Sequence, residues 1–376
     1  MKSFKLLLLS FAFVFTAHAA LPTPPAPQLA ARAWLLVDAN SGQSLAENKA
    51  DARVEPASLT KLMTAYLVFG ALKEHRLTLN QTLPVSEKAW RSEGSRTFLK
   101  VNSQVKVEDL IKGMVVQSGN DASVALAEGI GGAEDAFVAM MNHEAQRLGM
   151  TGSHFVNATG LPDPQHYATA RDLAKLASAL IRDYPNEYKY YSIKEFTYNG
   201  ITQPNRNRLL WLDPNVDGLK TGHTDSAGYC LIASARRDNR RLLSVVLGAG
   251  SDNGRAAESQ KLLNYGLQFF ETMKLYNANQ PVTTLRIYKG TSGSLGAGFQ
   301  RDFYITVPRG ASQRIQAQVT TQQPMLAPIA RGQGVGTLHL TLDGKPVGDF
   351  TLTALSSIGV SGLIRRGWDS LMLMIR

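Results

Sequence analysis

Glu55-Pro56-Ala57-Ser58-Leu59-Thr60-Lys61-Leu62-Met63 sets a serine and a lysine three residues apart at the head of an apolar helical face that continues through Tyr66, Leu67 and Phe69. On a helix that spacing brings both side chains to one side, one turn apart. Two readings of the pair compete. In the first, Ser58 caps a helix that starts after Pro56, and Lys61 is solvated. In the second, the free N–H groups and positive end of the helix favour an alkoxide at Ser58, and a lysine shielded from water has a lowered pKa and takes the serine proton. The spacing recurs at Ser103-Gln104-Val105-Lys106, and about one chance match is expected in a chain of this length. There Val101, Val105 and Val107 alternate as in a strand, where residues three apart face opposite sides, so the second match is a coincidence.

Working outward, residues 33–37 and 43–46 read as an early hairpin across the turn Asp38-Ala39-Asn40-Ser41-Gly42. Residues 58–72, 107–129, 133–148 and 169–181 carry apolar residues at helical spacing. Two short apolar strands, 229–235 and 242–248, flank a charged tip, and residues 256–272 form a closing helix. The order strand, helical block, strand, strand, helix predicts an α/β (α+β) domain with a mostly antiparallel sheet whose edges come from both chain ends. From about residue 277 the chain alternates apolar and polar residues with frequent Gly and Pro. Segments 303–307, 315–319, 338–342 and 347–352 read as strands of a small all-β domain.

The 376 residues hold 40 Lys plus Arg against 30 Asp plus Glu, a formal charge of +10. The basic residues are scattered in short pairs such as Arg236-Arg237 and Arg365-Arg366, which reads as a mildly basic surface without a nucleic-acid partner. Lys2, Lys5, the apolar run 6–15 and Ala17-His18-Ala19 read as an export signal over residues 1–19. The proline-rich stretch 20–28 reads as an extended leader with no packing of its own. The single cysteine, Cys230, precludes an internal disulfide and reads as a small buried strand residue. Neither H-E-x-x-H nor a tight His pair occurs, so no metal and no cofactor are expected.

G-x-S-x-G is absent, which leaves the serine–lysine pair as the nucleophile candidate. Asp217-Gly218-Leu219-Lys220-Thr221-Gly222-His223-Thr224 precedes the late strands and brings a lysine, a hydroxyl and exposed N–H groups to a strand edge. Such an edge holds a carboxylate by charge-assisted hydrogen bonds, with glycine leaving room for a ligand; the alternative is an ordinary turn. S-x-N occurs at Ser118-Gly119-Asn120 and at Ser251-Asp252-Asn253. Only the first lies between the other two motifs. In that order, with Met114-Val115-Val116-Gln117 before it and Asn205-Arg206-Asn207-Arg208-Leu209-Leu210-Trp211 later, the sequence resembles the low-molecular-mass, class C penicillin-binding proteins, which are serine D-alanyl-D-alanine carboxypeptidases. The resemblance covers nearly the whole chain after the leader and implies the serine penicillin-recognising fold.

It also implies roles. Ser58 would attack the penultimate D-alanine carbonyl of a peptidoglycan stem peptide, or a β-lactam, with Lys61 as base and Ser118 relaying a proton to the leaving amine. Asn120 would position the substrate amide or Lys61, and Lys220 and Thr221 would bind the terminal carboxylate. The N–H groups of Ser58 and His223 would form an oxyanion hole. Arg255 would add a second positive charge or pair with Glu258. A β-lactamase of the same fold needs a glutamate three residues before the leucine of a Leu-Asn pair, and neither Leu79-Asn80 nor Leu263-Asn264 has one there. A D,D-endopeptidase or a non-enzymatic peptidoglycan-binding scaffold are the other readings.

The organisation expected is signal (1–19), leader (20–28), D,D-peptidase domain (29–276), small β-domain as a stalk (277–356) and amphipathic helix (357–376). In the last, Val360, Leu363, Ile364, Trp368, Leu371, Met372 and Ile375 fall at three- and four-residue steps opposite Arg365, Arg366 and Asp369. Either it packs on the β-domain or it lies on an anionic membrane surface, at the periplasmic face of the cytoplasmic membrane, too short and charged to span it.

Overall fold

A computed structural model describes residues 24–374; the expected signal over 1–19 and Ile375 lie outside the described residues. Strands Ala33–Asp38 (β1) and Ser44–Asn48 (β2) form the early hairpin. A one-turn 3-10 segment, Ala57–Thr60, runs into helix Lys61–Lys73 (α1). Thr82–Pro84 (β3), helix Glu87–Arg91 (α2) and Gln104–Lys106 (β4) follow, with β3 and β4 paired. Helices Val107–Val116 (α3), Asn120–Gly131 (α4), Glu134–Arg147 (α5) and Ala170–Asp183 (α6) complete a helical block. After a small hairpin, Glu195–Tyr198 (β5) with Ile201–Pro204 (β6), and the short helix Leu209–Leu212 (α7) come three long strands. These are Val216–Thr224 (β7), Gly228–Arg237 (β8) and Arg240–Ala249 (β9), followed by helix Asp252–Phe269 (α8).

The main sheet is antiparallel in the order β2-β1-β9-β8-β7, so both ends of the domain meet in it. Strand β1 is buried throughout because both faces are covered. Its Ala33, Leu35 and Val37 join the core under the helical block, while Trp34 and Leu36 join the core under α8. The period of two thus divides one strand between two cores.

Three expectations are corrected. The expected helix 107–129 is broken at Gln117-Ser118-Gly119, where Ser118 takes a left-handed φ of 67°; periodicity registers the apolar face on either side of the break but not the backbone reversal. The closing helix stops at Phe269, and Phe270–Tyr276 (β10) pairs with Phe303–Pro308 of the β-domain. The described part of the leader, residues 24–28, does pack: Ala26 lies against the α8 core, and Tyr265 donates its hydroxyl proton to the Pro24 carbonyl at 2.9 Å.

Beyond β10 lie Pro281–Tyr288 (β11), Ser294–Gly298 (β12), Phe303–Pro308 (β13), Ile315–Thr320 (β14), Met325–Leu326 (β15), Gly334–Leu342 (β16) and Lys345–Ala354 (β17). They enclose a separate apolar core. The two units meet at a polar joint. Buried Asp38 accepts from Arg240 Nε at 2.9 Å and from the Thr272 hydroxyl. Thr272 lies 3.0 Å from Thr306, which also meets Ser41 at 2.7 Å, and the Thr306 N–H donates to Gln43 Oε1 at 2.6 Å. Helix Leu363–Met374 (α9) ends the described chain. Its apolar side is not packed on the β-domain: Leu363 is 82% and Ile364 93% exposed, and Trp368 and Met374 are exposed as well. Polar contacts hold it, the Lys289 N–H donating to Asp369 and Arg365 donating to the Thr291 carbonyl at 3.4 Å.

Candidate active site

Ser58 sits inside the 3-10 turn, and its side chain does not cap the helix. Instead Lys61, in the first turn of α1, places Nζ 2.9 Å from Ser58 Oγ. Lys61 is 1% exposed. Its ammonium also donates to Asn120 Oδ1 at 2.6 Å and to the Thr159 carbonyl at 2.6 Å, so all three protons have acceptors. Burial, reinforced by the Arg206 cation and opposed by Asp121, pushes its pKa down to about 7. The lysine thus stands near neutrality, where it can both accept and return a proton.

Asn120, at the start of α4, is committed at both ends, its Nδ2 donating to the Glu93 carbonyl at 2.5 Å. It therefore orients Lys61. Ser118, two residues earlier, lines the cleft and its buried hydroxyl has no protein partner. An orphan hydroxyl costs about 1–3 kcal/mol, and the left-handed backbone adds strain; both are what a group kept ready for a ligand looks like. Asp121 braces the turn, accepting from the Thr97 N–H at 2.8 Å and the Leu99 N–H at 3.1 Å.

The edge strand β7 forms the opposite wall. Thr221, Gly222 and His223 line a cleft of about 750 Å³ with Ser58, Ser118 and Arg255. A Cβ at Gly222 would lie 3.0 Å from the Pro56 carbonyl oxygen and 3.2 Å from the Ser58 amide nitrogen. Glycine is thus needed for the strand to approach the turn that carries Ser58. Lys220 is 2% exposed and stands behind Thr221, donating to its carbonyl at 3.0 Å. Burial, then the Lys61, Arg206 and Arg255 cations, lowers its pKa well below the lysine range. A substrate anion would restore its charge. The His223 ring is exposed and packs on Tyr229, centroids 4.0 Å apart.

Arg255 does not pair with Glu258. Three residues into α8, it reaches back to Asp252 and donates to the Gly222 carbonyl at 3.0 Å, while Glu258 is taken by Lys261 at 2.8 Å. The rival motifs also have local explanations. Ser251 caps α8, accepting from the Gly254 N–H at 3.0 Å, and Ser103 donates to the Lys100 carbonyl at 2.6 Å.

Two participants were not singled out by sequence. Arg206 lines the cleft and acts on both lysines; its loop is fixed by buried Asn207, whose amide donates to the Gly218 carbonyl at 3.0 Å. The stretch Asn205–Arg208 carried that signal without a role. The Thr159 carbonyl is a backbone acceptor, for which no residue type is diagnostic.

A lysine replaces the usual histidine beside the nucleophile, and a carboxylate-sized field of cations faces it across the cleft; this geometry suits serine acyl transfer on a substrate ending in a carboxylate. Among the described residues no group of three or more His, Cys, Asp or Glu could hold a metal. Comparison with known proteins supports the serine acyl-transfer reading. Residues 19–251 match the D-alanyl-D-alanine carboxypeptidase family, and residues 270–359 match the C-terminal domain of penicillin-binding protein 5. The chain is 44% identical to D-alanyl-D-alanine carboxypeptidase DacC of Escherichia coli K12, covering 96% of this chain and 93% of the relative. Penicillin-binding protein 5 from Haemophilus influenzae superposes with a TM-score of 0.84 at 43% identity, over 89% of this chain and 99% of that one. Penicillin-binding protein D2 from Listeria monocytogenes, solved in the ampicillin-bound form, matches at 0.60 and 34% identity, over 65% of this chain and 100% of its own. The chain belongs to the D-alanyl-D-alanine carboxypeptidase family, the class C penicillin-binding serine peptidases. The β-lactamase, endopeptidase and scaffold readings are not favoured.

Proposed function

We propose that this enzyme removes the terminal D-alanine from peptidoglycan stem peptides through an acyl-enzyme on Ser58, with Lys61 as the base. The observation that carries the assignment is the buried Lys61 ammonium 2.9 Å from Ser58 Oγ, with a pKa brought to about 7. Neutral Lys61 takes the Ser58 proton as Oγ attacks the penultimate carbonyl. The N–H groups of Ser58 and His223 stabilise the oxyanion. As the C–N bond breaks, the Ser118 hydroxyl relays the proton to the leaving amine, and water then releases the shortened peptide by the reverse proton path. Thr221 and Arg255 hold the terminal carboxylate, and Lys220 supplies positive potential from behind Thr221. A β-lactam enters the same way, because its amide stands for the scissile bond and its carboxylate for the terminal one.

We also infer export, with residues 1–19 as signal, and a monotopic anchor in α9 at the periplasmic face of the cytoplasmic membrane. The unpacked apolar side of α9 and its arginines support a resting place among anionic head groups. Among the described residues no helix is long and apolar enough to cross a membrane. Labelled penicillin followed by peptide mapping tests the nucleophile: label on Ser58 is expected, and label elsewhere, or undiminished labelling of Ser58→Ala, overturns the assignment.

A further inference from the structure

The loop between α5 and α6 touches the site once through its backbone, at the Thr159 carbonyl that accepts from Lys61 Nζ. The loop is built to hold that carbonyl still. Asn157 Oδ1 accepts from the N–H groups of Thr159 and Gly160 at 3.1 and 2.7 Å. Buried Glu134 accepts from the Ala158 N–H at 2.9 Å, and the Thr64 hydroxyl donates to the Ala158 carbonyl at 2.7 Å. Gly160 has φ of 84°, and a Cβ there would meet the Ala57 carbonyl oxygen at 1.8 Å.

His166, in the returning limb of this loop, reaches the nucleophile turn itself. It is buried, packs edge-on against Phe155 and places Nε2 2.8 Å from Thr60 Oγ1, between Ser58 and Lys61 in sequence. The Val156 N–H donates to Nδ1 at 3.4 Å. Nδ1 therefore carries the lone pair, and Nε2–H donates to Thr60. Both ring nitrogens are used in the neutral form, and a second proton would set N–H against N–H at Val156. Burial drives the ring the same way, pushing His166 down to about 4, with His154 and Lys61 adding to the effect and Asp163 opposing it.

We propose that His166 is a positioning residue for the Lys61 base: its neutral imidazole clamps the loop to Thr60 and so fixes the Thr159 carbonyl against the lysine. The inference rests on the reading of Lys61 as base. Lys61 faces Asp121, Arg206, Lys220 and His166, and burial is the largest influence on its proton affinity. A loosened loop admits water, and the gain in hydration outweighs the lost carbonyl, so the lysine becomes more basic.

The experiment is the rate of acylation by a fluorescent penicillin between pH 5 and pH 10 for the full chain and for His166→Ala, His166→Gln and Thr60→Val. In the unsubstituted protein the rate should fall below about pH 7. His166→Ala should move that midpoint up by about one unit and so slow acylation at pH 7 about fivefold. His166→Gln, whose amide can both accept from Val156 and donate to Thr60, should bring the midpoint back. Thr60→Val removes the other half of the bond and should reproduce the alanine shift, which keeps the test decisive if His166→Ala does not fold. An unmoved midpoint in both disrupting variants, or a rate loss equal at every pH, overturns the proposal and leaves a packing role. Absence of any acid limb in the unsubstituted protein would instead remove Lys61 as the base.

Discussion

The catalytic domain and the C-terminal helix break the same packing rule in opposite directions. Lys61 and Lys220 are buried at 1% and 2% exposure, where lysine is almost never found unless paired. Helix α9 leaves Leu363, Ile364 and Trp368 in the open, where a folded chain ordinarily hides them. In the first region the fold surrounds the misfit with acceptors, from Asn120, Thr159 and Ser58 around Lys61. In the second nothing among the described residues covers it. On the function proposed above, the misfit that the chain itself completes serves chemistry, and the one that it leaves open serves a surface outside the chain.

Substitutions can separate the two. Ser58→Ala should abolish penicillin labelling while leaving the fold, read by circular dichroism, in place. Lys61→Ala should slow acylation about 10²- to 10⁴-fold, measured by stopped-flow with a chromogenic β-lactam; a loss below tenfold would mean that the buried lysine is structural. The pH profile sharpens this. With Lys61 acting as the free base, as proposed, the rate should fall about tenfold per unit below pH 7, and a flat rate from pH 9 to pH 5 would contradict a lysine base. Arg255→Ala should raise KM for a D-Ala-D-Ala peptide about tenfold, through loss of one charge-assisted contact, with a smaller change in kcat. The smallest effect on turnover belongs to the tail. A chain ending at Leu355 should keep full activity on a soluble peptide and lose binding to anionic vesicles; vesicle binding that survives would place the membrane contact elsewhere.

What the sequence disclosed was local. Ser58 and Lys61 are one turn apart, and Lys220 to His223 lie along one strand, so spacing and period suffice to pair them. The break at Ser118 was legible as a motif but not as geometry, since the apolar positions of Val107–Val116 and Asn120–Gly131 run on without a visible interruption. Arg255 had two acidic neighbours at helical distance, Asp252 before it and Glu258 after, and periodicity cannot choose between them; the structure chooses Asp252 because that carboxylate shares the cleft edge. The leader gave no sign of its seat on α8, because a proline-rich stretch has no period to match to a core. The Thr159 carbonyl and the His166 clamp depend on a loop closing over α1, a tertiary event that no window of sequence contains.

The polar joint around Asp38 has a mechanical consequence. Asp38, Arg240, Thr272 and Thr306 tie the first strand of the catalytic sheet to the first strand pair of the β-domain without an intervening flexible stretch. A joint closed by hydrogen bonds restrains the two units more than a free linker does. With α9 seated as proposed, such a joint would confine the cleft to a narrower range of heights above the membrane than a free linker allows, raising the local concentration of strands within that range.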